Sequence, residues 1–180
     1  MSLHKDLDLK EAVLKLPQKE KDKLLVRLVG KDKTLMKQLH YQLLESEVDL
    51  TERIEILKHN LHNLFKNMQH GNKNSRNYNF EKDLAAHIRH ASGLVNEHEK
   101  VTKDKFSDLE CRLIILNEVF DRFPNLFENS YYSSPKLLTY IQTRVRMAET
   151  KYEKLHEDFQ FDLRDQYHKM IDFAIEHNLD

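Results

Sequence analysis

From residue 50 onward the apolar residues of this chain return at alternating steps of three and four. Leu50, Ile54, Leu57, Leu61, Leu64 and Met68 follow the steps 4, 3, 4, 3, 4, which is a heptad seam on one face of an α-helix. Asp49, with Glu52 three residues on, resembles a capping box and predicts that this helix starts there. A second seam runs through Leu84, Ile88, Ala91, Val95 and His98. It crosses the polar stretch NEHEKVTKDK and resumes at Phe106, Leu109, Leu113, Leu116, Phe120 and Phe123 before Pro124. One helix of about 44 residues, roughly 65 Å long, fits this pattern. So do two helices, with Ser107 and Glu110 as a second capping box.

Ser134-Pro135 is a strong helix start. Leu138, Ile141, Val145, Ala148, Tyr152, Leu155 and Phe159 follow, then Leu163, Tyr167, Met170 and Ala174. The two successive four-residue steps at 155–159–163 read as a stutter, which relaxes a supercoil without ending the helix. Since no Gly or Pro follows residue 135, the pattern predicts one helix of about 40 residues here.

The N-terminal stretch is built differently. Leu9, Val13 and Leu16 predict a short helix ending before Pro17. Pro17 suits the first turn of a second helix, which Leu24, Leu25 and Leu28 carry to Gly30. Leu35, Leu39 and Leu43 mark a third apolar face. The fold expected is all-α: an antiparallel helical bundle of long heptad-patterned helices over residues 49–178, with a short-helix hairpin over 5–45. Both belong to a single all-helical domain, 1–180. A short α-solenoid is the alternative, although no fixed repeat period supports it.

Composition agrees with helices and narrows the chemistry. With only 3 Gly and 3 Pro there is little to interrupt helical runs. Lys and Arg number 29 against 30 acidic residues, so no global field recruits nucleic acid or a membrane. The single cysteine, Cys111, excludes an internal disulfide and fits a reducing compartment. No signal-peptide core or membrane-length apolar run is visible, and a cytoplasmic protein is expected. Charge is nevertheless uneven: residues 15–37 carry eight Lys/Arg against three acids, and residues 149–180 carry nine acids against four bases. Solvated faces, or pairing of the two regions with each other, account for this more simply than a phosphate-binding surface does.

Reactive constellations are sparse. His59-x-x-His62 and His87-x-x-His90 have a spacing that can place two imidazoles on one ion. The heptad register turns the first pair away from the seam, and puts one of His87 and His90 beside the stripe and the other away from it. No metal site is assigned. His98 sits on the stripe itself, where a histidine bonded to a neighbouring helix is expected. The pairs Glu52-x-x-Glu55 and Glu118-x-x-Asp121 could contribute to a Mg²⁺ site, but both fall opposite the seams. Cys111 falls off the seam with no histidine placed to activate it, and no phosphate-cradling Gly-rich loop occurs. No catalytic, cofactor or metal residue is therefore assigned, and an enzyme is not expected.

Two loops are the candidate contact surfaces. QHGNKNSRNYN offers Lys73, Arg76 and Tyr78, a mixture able to grip phosphate or stack a base. ENSYYSSP offers Tyr131 and Tyr132, residues favoured at protein interfaces. The function expected is a non-enzymatic helical scaffold or adaptor that binds a protein partner or a second copy of itself. The alternative is a nucleic-acid-associated protein using the basic 15–37 hairpin and the 71–79 loop.

Overall fold

The structure, a computed structural model, describes residues 6–66, 68, 79–128 and 134–179. Among the described residues the fold is all-α, with nine helices and no strand. No helix among them is long and apolar enough to cross a membrane. The chain divides into two compact units, Met1–Glu45 and Ser46–Asp180.

The first unit holds three short helices: α1 (Leu7–Lys15), α2 (Gln18–Val29) and α3 (Lys33–Leu44). Asp6 starts α1 by accepting a hydrogen bond from the Leu9 amide at 3.0 Å. The ring of Pro17 pushes Leu16 into extended backbone, φ −58° and ψ 143°, and so ends α1. Pro17 itself is the N-cap of α2, one position earlier than its sequence suggests. Gly30 closes α2 with φ −65°, a conformation any residue adopts. Asp32 then caps α3, accepting from the Thr34 and Leu35 amides at 2.9 and 3.1 Å. None of the three helices contains a buried residue.

The second unit contains α4 (Glu47–Lys66), α5 (Phe80–Thr102), α6 (Lys105–Arg122), the single turn α7 (Asn125–Glu128), α8 (Pro135–Glu153) and α9 (Glu157–Glu176). The capping box of α4 is Ser46 with Asp49, three residues ahead of the Asp49–Glu52 pair inferred from sequence. The Ser46 amide donates to Asp49 Oδ2 at 2.7 Å, and the Asp49 amide lies 3.5 Å from Ser46 Oγ. Residues 80–123 are two helices. The chain turns through left-handed backbone at Lys103, φ 61°, and Asp104 caps α6 by accepting from the Phe106 amide at 3.0 Å. Ser107 is thus inside α6 and is not its cap.

The predicted 40-residue C-terminal helix is likewise two helices, broken at Lys154–His156 without Gly or Pro. The break is held by side chains on both sides of it. Gln160 Nε2 donates to the carbonyls of Tyr152 and Leu155, each at 3.0 Å, and the Tyr152 hydroxyl donates to the Gln160 carbonyl at 2.9 Å. The rings of Tyr152 and Tyr167 stack with centroids 3.8 Å apart. The Tyr152 carbonyl already accepts from the Leu155 amide at 3.1 Å, so Gln160 adds a second bond there and takes up the Leu155 carbonyl beyond the helix end.

Cross-helix pairs give the topology. Residue numbers fall on α5 as they rise on α6 (His98 with Ser107, Asn96 with Arg112, Phe80 with Phe123), so these helices are antiparallel. They rise together for α4 and α6 (Lys58 with Glu110, His62 with Glu118), and for α9 and α6 (Phe106 with Phe159, Phe120 with Phe173), which are therefore parallel pairs. Glu81 with Ser134 and Arg89 with Tyr140 align α8 with α5. So α6 runs up the middle with α4, α5, α8 and α9 packed around it. This wrapping of one helix by four decides for the bundle over stacked solenoid pairs.

The consequence is visible on α6 itself, where every residue from Ser107 to Phe120 except Glu110 and Glu118 is buried. Cys111, placed off the seam by the heptad register, is fully buried for this reason. Replacing fully buried Leu113 by Ala is expected to cost about 3 kcal/mol of unfolding free energy in urea titrations. The same change at exposed Leu25 in α2 is expected to cost less than about 0.5 kcal/mol. Equal midpoint shifts would contradict the wrapping of α6.

Candidate functional site

All five contact residues inferred from sequence, Lys73, Arg76, Tyr78, Tyr131 and Tyr132, lie outside the described residues. The other candidates are placed. His59 and His62 are exposed on α4, and His62 Nδ1 lies 2.7 Å from Glu118 Oε1. His87 is half-buried, with Nδ1 2.8 Å from the Asp83 carbonyl, while His90 is exposed. Among the described residues no three His, Cys, Asp or Glu side chains converge.

Three of the four paired carboxylates are taken up by basic neighbours. Glu55 pairs with Lys58 at 3.2 Å and Asp121 with Lys169 at 2.6 Å, while Glu118 is held by Arg122 and His62. Burial alone would raise the Glu118 carboxyl, but Arg122 and His62 bring it below its usual range. Glu118 is thus mostly covered by its own partners, although the heptad register turned it outward. Burial pushes the Cys111 thiol up to about 12, with neighbouring Glu110 adding to the effect. A thiol held so far above neutrality is not a nucleophile.

The strongest charged cluster was not singled out from sequence. Asp108, one turn into α6, has a side chain only 1% exposed. Its Oδ1 accepts from Arg112 Nε at 3.1 Å and from Arg112 Nη2 at 2.8 Å, and Arg112 Nη2 also donates to Asn96 Oδ1 at 2.7 Å. From α8, Lys151 Nζ approaches Asp108 Oδ2 to 2.7 Å, off the line of a good hydrogen bond. Burial would raise this carboxyl; Arg112 and Lys151 together outweigh it and hold the group below its ordinary range. The cluster thereby ties α5, α6 and α8 at one level. A signal for it does exist: Asp108 and Arg112 are an i,i+4 pair on a helix whose next four residues are all apolar.

One level away, His98 Nε2 lies 2.8 Å from the hydroxyl of fully buried Ser107. This is the interhelical role expected of a histidine on the stripe. Burial pushes the imidazole below its ordinary value; Asp104 opposes this, Arg53 adds to it and Asp108 opposes it.

The first unit contributes a different feature. Leu7, Leu9, Leu14, Leu25, Val26, Leu28, Met36, Leu43 and Leu44 are all exposed. Lys19, Lys23, Arg27, Lys31, Lys33 and Lys37 are exposed between and beside them. Comparison of the chain with known protein families, with characterised proteins and with solved structures finds no match in any of the three.

Two outcomes follow from the buried polar groups. His98 is neutral in the fold at a pH where the unfolded chain, with an imidazole near 6.5, already binds a proton. Protons therefore favour the unfolded state, and stability falls as pH drops below 6.5, by up to about 1.4 kcal/mol per pH unit. In His98→Gln the stability between pH 6.5 and 5 is expected to lose this slope, as read by urea titration at each pH; an unchanged slope would assign it elsewhere. Asp108→Ala leaves Arg112 and Lys151 without their shared carboxylate and is expected to cost about 3–5 kcal/mol. A loss under about 1 kcal/mol would mean that water already screens the cluster.

Proposed function

We propose that this chain is a non-enzymatic interaction protein of the cytoplasm, whose first helical unit binds a protein partner while the second serves as its rigid scaffold. The observation that carries this reading is the contrast in burial between them. The second unit closes an apolar core around α6 and leaves six large apolar side chains exposed among its described residues, whereas the much shorter α1, α2 and α3 bury no residue and leave nine exposed. Isolated short helices are marginal in water, and most helical stability in proteins comes from packing an apolar face. A partner surface is the natural source of that packing.

The partner chemistry follows from what surrounds the leucines. On α2, Leu25, Val26 and Leu28 lie beside Lys23 and Arg27, and residues 15–37 carry a net excess of five positive charges. An apolar protein face with an acidic rim fits this surface. The buried, high-pKa Cys111 is consistent with a chain that keeps its thiol reduced. Exposure of the basic side chains also favours a second reading, association with nucleic acid, which is separable by its steep salt dependence.

The test is recovery of the tagged full chain from its native cells at low and at high salt, beside a Leu25→Ser/Leu28→Ser variant. Both leucines are exposed, so the variant is expected to keep the helical circular dichroism of the parent. A stoichiometric protein that survives high salt and is reduced about tenfold or more by the two substitutions supports the reading. Its undiminished recovery with the variant, or recovery only of nucleic acid that leaves at high salt, would overturn it.

A further inference from the structure

A cleft of about 710 Å³ opens between the start of α6 and the C-terminal half of α8. Its volume is within the range of small-molecule sites. Four of its lining residues are cations, Lys105, Arg146, Lys151 and Lys154, and its one carboxylate is Asp108. Met147 and Leu155 supply apolar wall. We propose that this cleft binds a small organic phosphate, with the phosphate groups among the four cations and an apolar or aromatic body against Met147 and Leu155.

The charge balance argues for an anion. Asp108 is shared between Lys151 inside the cleft and Arg112 beneath it, so its charge is already offset. Lys105 is paired with Glu99 and Arg146 also has a partner in the fold, while Lys154 has no carboxylate partner among the described residues. The chain as a whole has a formal charge of −1, so this excess is a local field and not a share of a basic protein. Asp108 is buried, hydrogen-bonded to Arg112 and ion-paired with Lys151 at 2.7 Å, which holds Lys151 beside it before any ligand arrives. A cation held in place contributes more to binding than one that must be ordered by the ligand.

The hydroxyls in the cleft narrow the mode of recognition. Thr143 donates to the Thr139 carbonyl at 2.8 Å and Thr150 to the Arg146 carbonyl at 2.9 Å, so neither hydroxyl hydrogen is available to a phosphate. Ammonium and guanidinium groups do the holding, and ligand charge governs affinity more than the pattern of acceptors. The apolar wall then separates an organic phosphate from an inorganic one. Met147, 37% exposed, is the residue positioned to make that distinction.

Calorimetric titration of the full chain with ATP and with inorganic tripolyphosphate tests this. ATP is expected to bind one saturable site with a Kd below about 1 mM at ~50 mM salt, to weaken at ~200 mM salt, and to bind at least threefold tighter than tripolyphosphate. Arg146→Glu/Lys154→Glu is expected to weaken ATP by about tenfold or more. Lys154→Glu alone, at the exposed end of α8, is expected to weaken it about threefold and guards against misfolding of the double variant. Lys136→Glu, exposed in the first turn of α8 outside the cleft, is expected to leave binding unchanged. No saturation by about 10 mM ATP, equal affinity in the folded variants and the parent, or an equal loss in Lys136→Glu would overturn the site. Tripolyphosphate matching ATP would overturn the role given to Met147 and Leu155.

Discussion

The second unit is organised by one constraint: from Ser107 to Phe120, α6 leaves only Glu110 and Glu118 partly open to solvent. Its run Leu113-Ile114-Ile115-Leu116, with Leu109, Cys111, Val119 and Phe120, makes the helix apolar around its circumference. A single antiparallel partner covers one stripe and would leave the rest in water. Four helices are needed, and α4, α5, α8 and α9 provide them. The polar residues that α6 carries inward then dictate alignment. Asp108 requires cations, and Arg112 on its own helix and Lys151 on α8 supply them. Asn117 donates to the Gln166 carbonyl of α9, and Ser107 meets His98 of α5. Each of these pairs fixes the height of one helix against α6, because an unmatched buried polar group is costly.

The same constraint explains why both long seams break. The helices around α6 are each about 20 residues, which at 1.5 Å per residue is roughly 30 Å, the length of α6 and its immediate flanks. A helix twice that length would carry half of its apolar stripe beyond the core. Turning back at Lys103–Asp104 and again at Lys154–His156 keeps both halves of each seam on α6. Neither corner uses Gly or Pro. The first accepts a left-handed lysine, which costs about 1–2 kcal/mol, and the second recruits Gln160 and Tyr152 to satisfy open backbone groups. Core burial outweighs these local costs.

The two units differ in what completes them. The second closes its own core, and Lys151, paired with buried Asp108, lines a cleft at its surface. The first is a chain of about 40 residues, a length at which a core alone seldom suffices without metals, disulfides or association. Asp6 and Asp32 cap α1 and α3, and Pro17 sets the start of α2 without a side-chain cap, so the local signals for helix are strong. Its leucines remain exposed all the same. Local preference sets its secondary structure, and none of its three helices buries a residue.

How much could be read in advance follows from which interactions are local. The all-α class, the three short N-terminal helices, the start at Pro135 and the place of His98 were legible from periodicity, caps and breakers, which act within a few residues, while the start of α4 was read at Asp49, two residues late. The break at 103 was left open between one helix and two by the polar stretch NEHEKVTKDK, and the one at 154 was misread as a stutter within one helix, since a repeat read along the chain does not say whether two stretches turn back onto the same core. Cys111 and Glu118 were misplaced for a related reason: a heptad register assumes one buried face, and α6 has several. The Asp108–Arg112–Lys151 cluster joins residues 43 positions apart, and the cleft above it residues 50 apart. The order of amino acids determined that helices form and where their strongest caps lie. Only the tertiary structure decided which helix is central and which charges meet, because burial on every side and pairing across helices are properties of the assembled core.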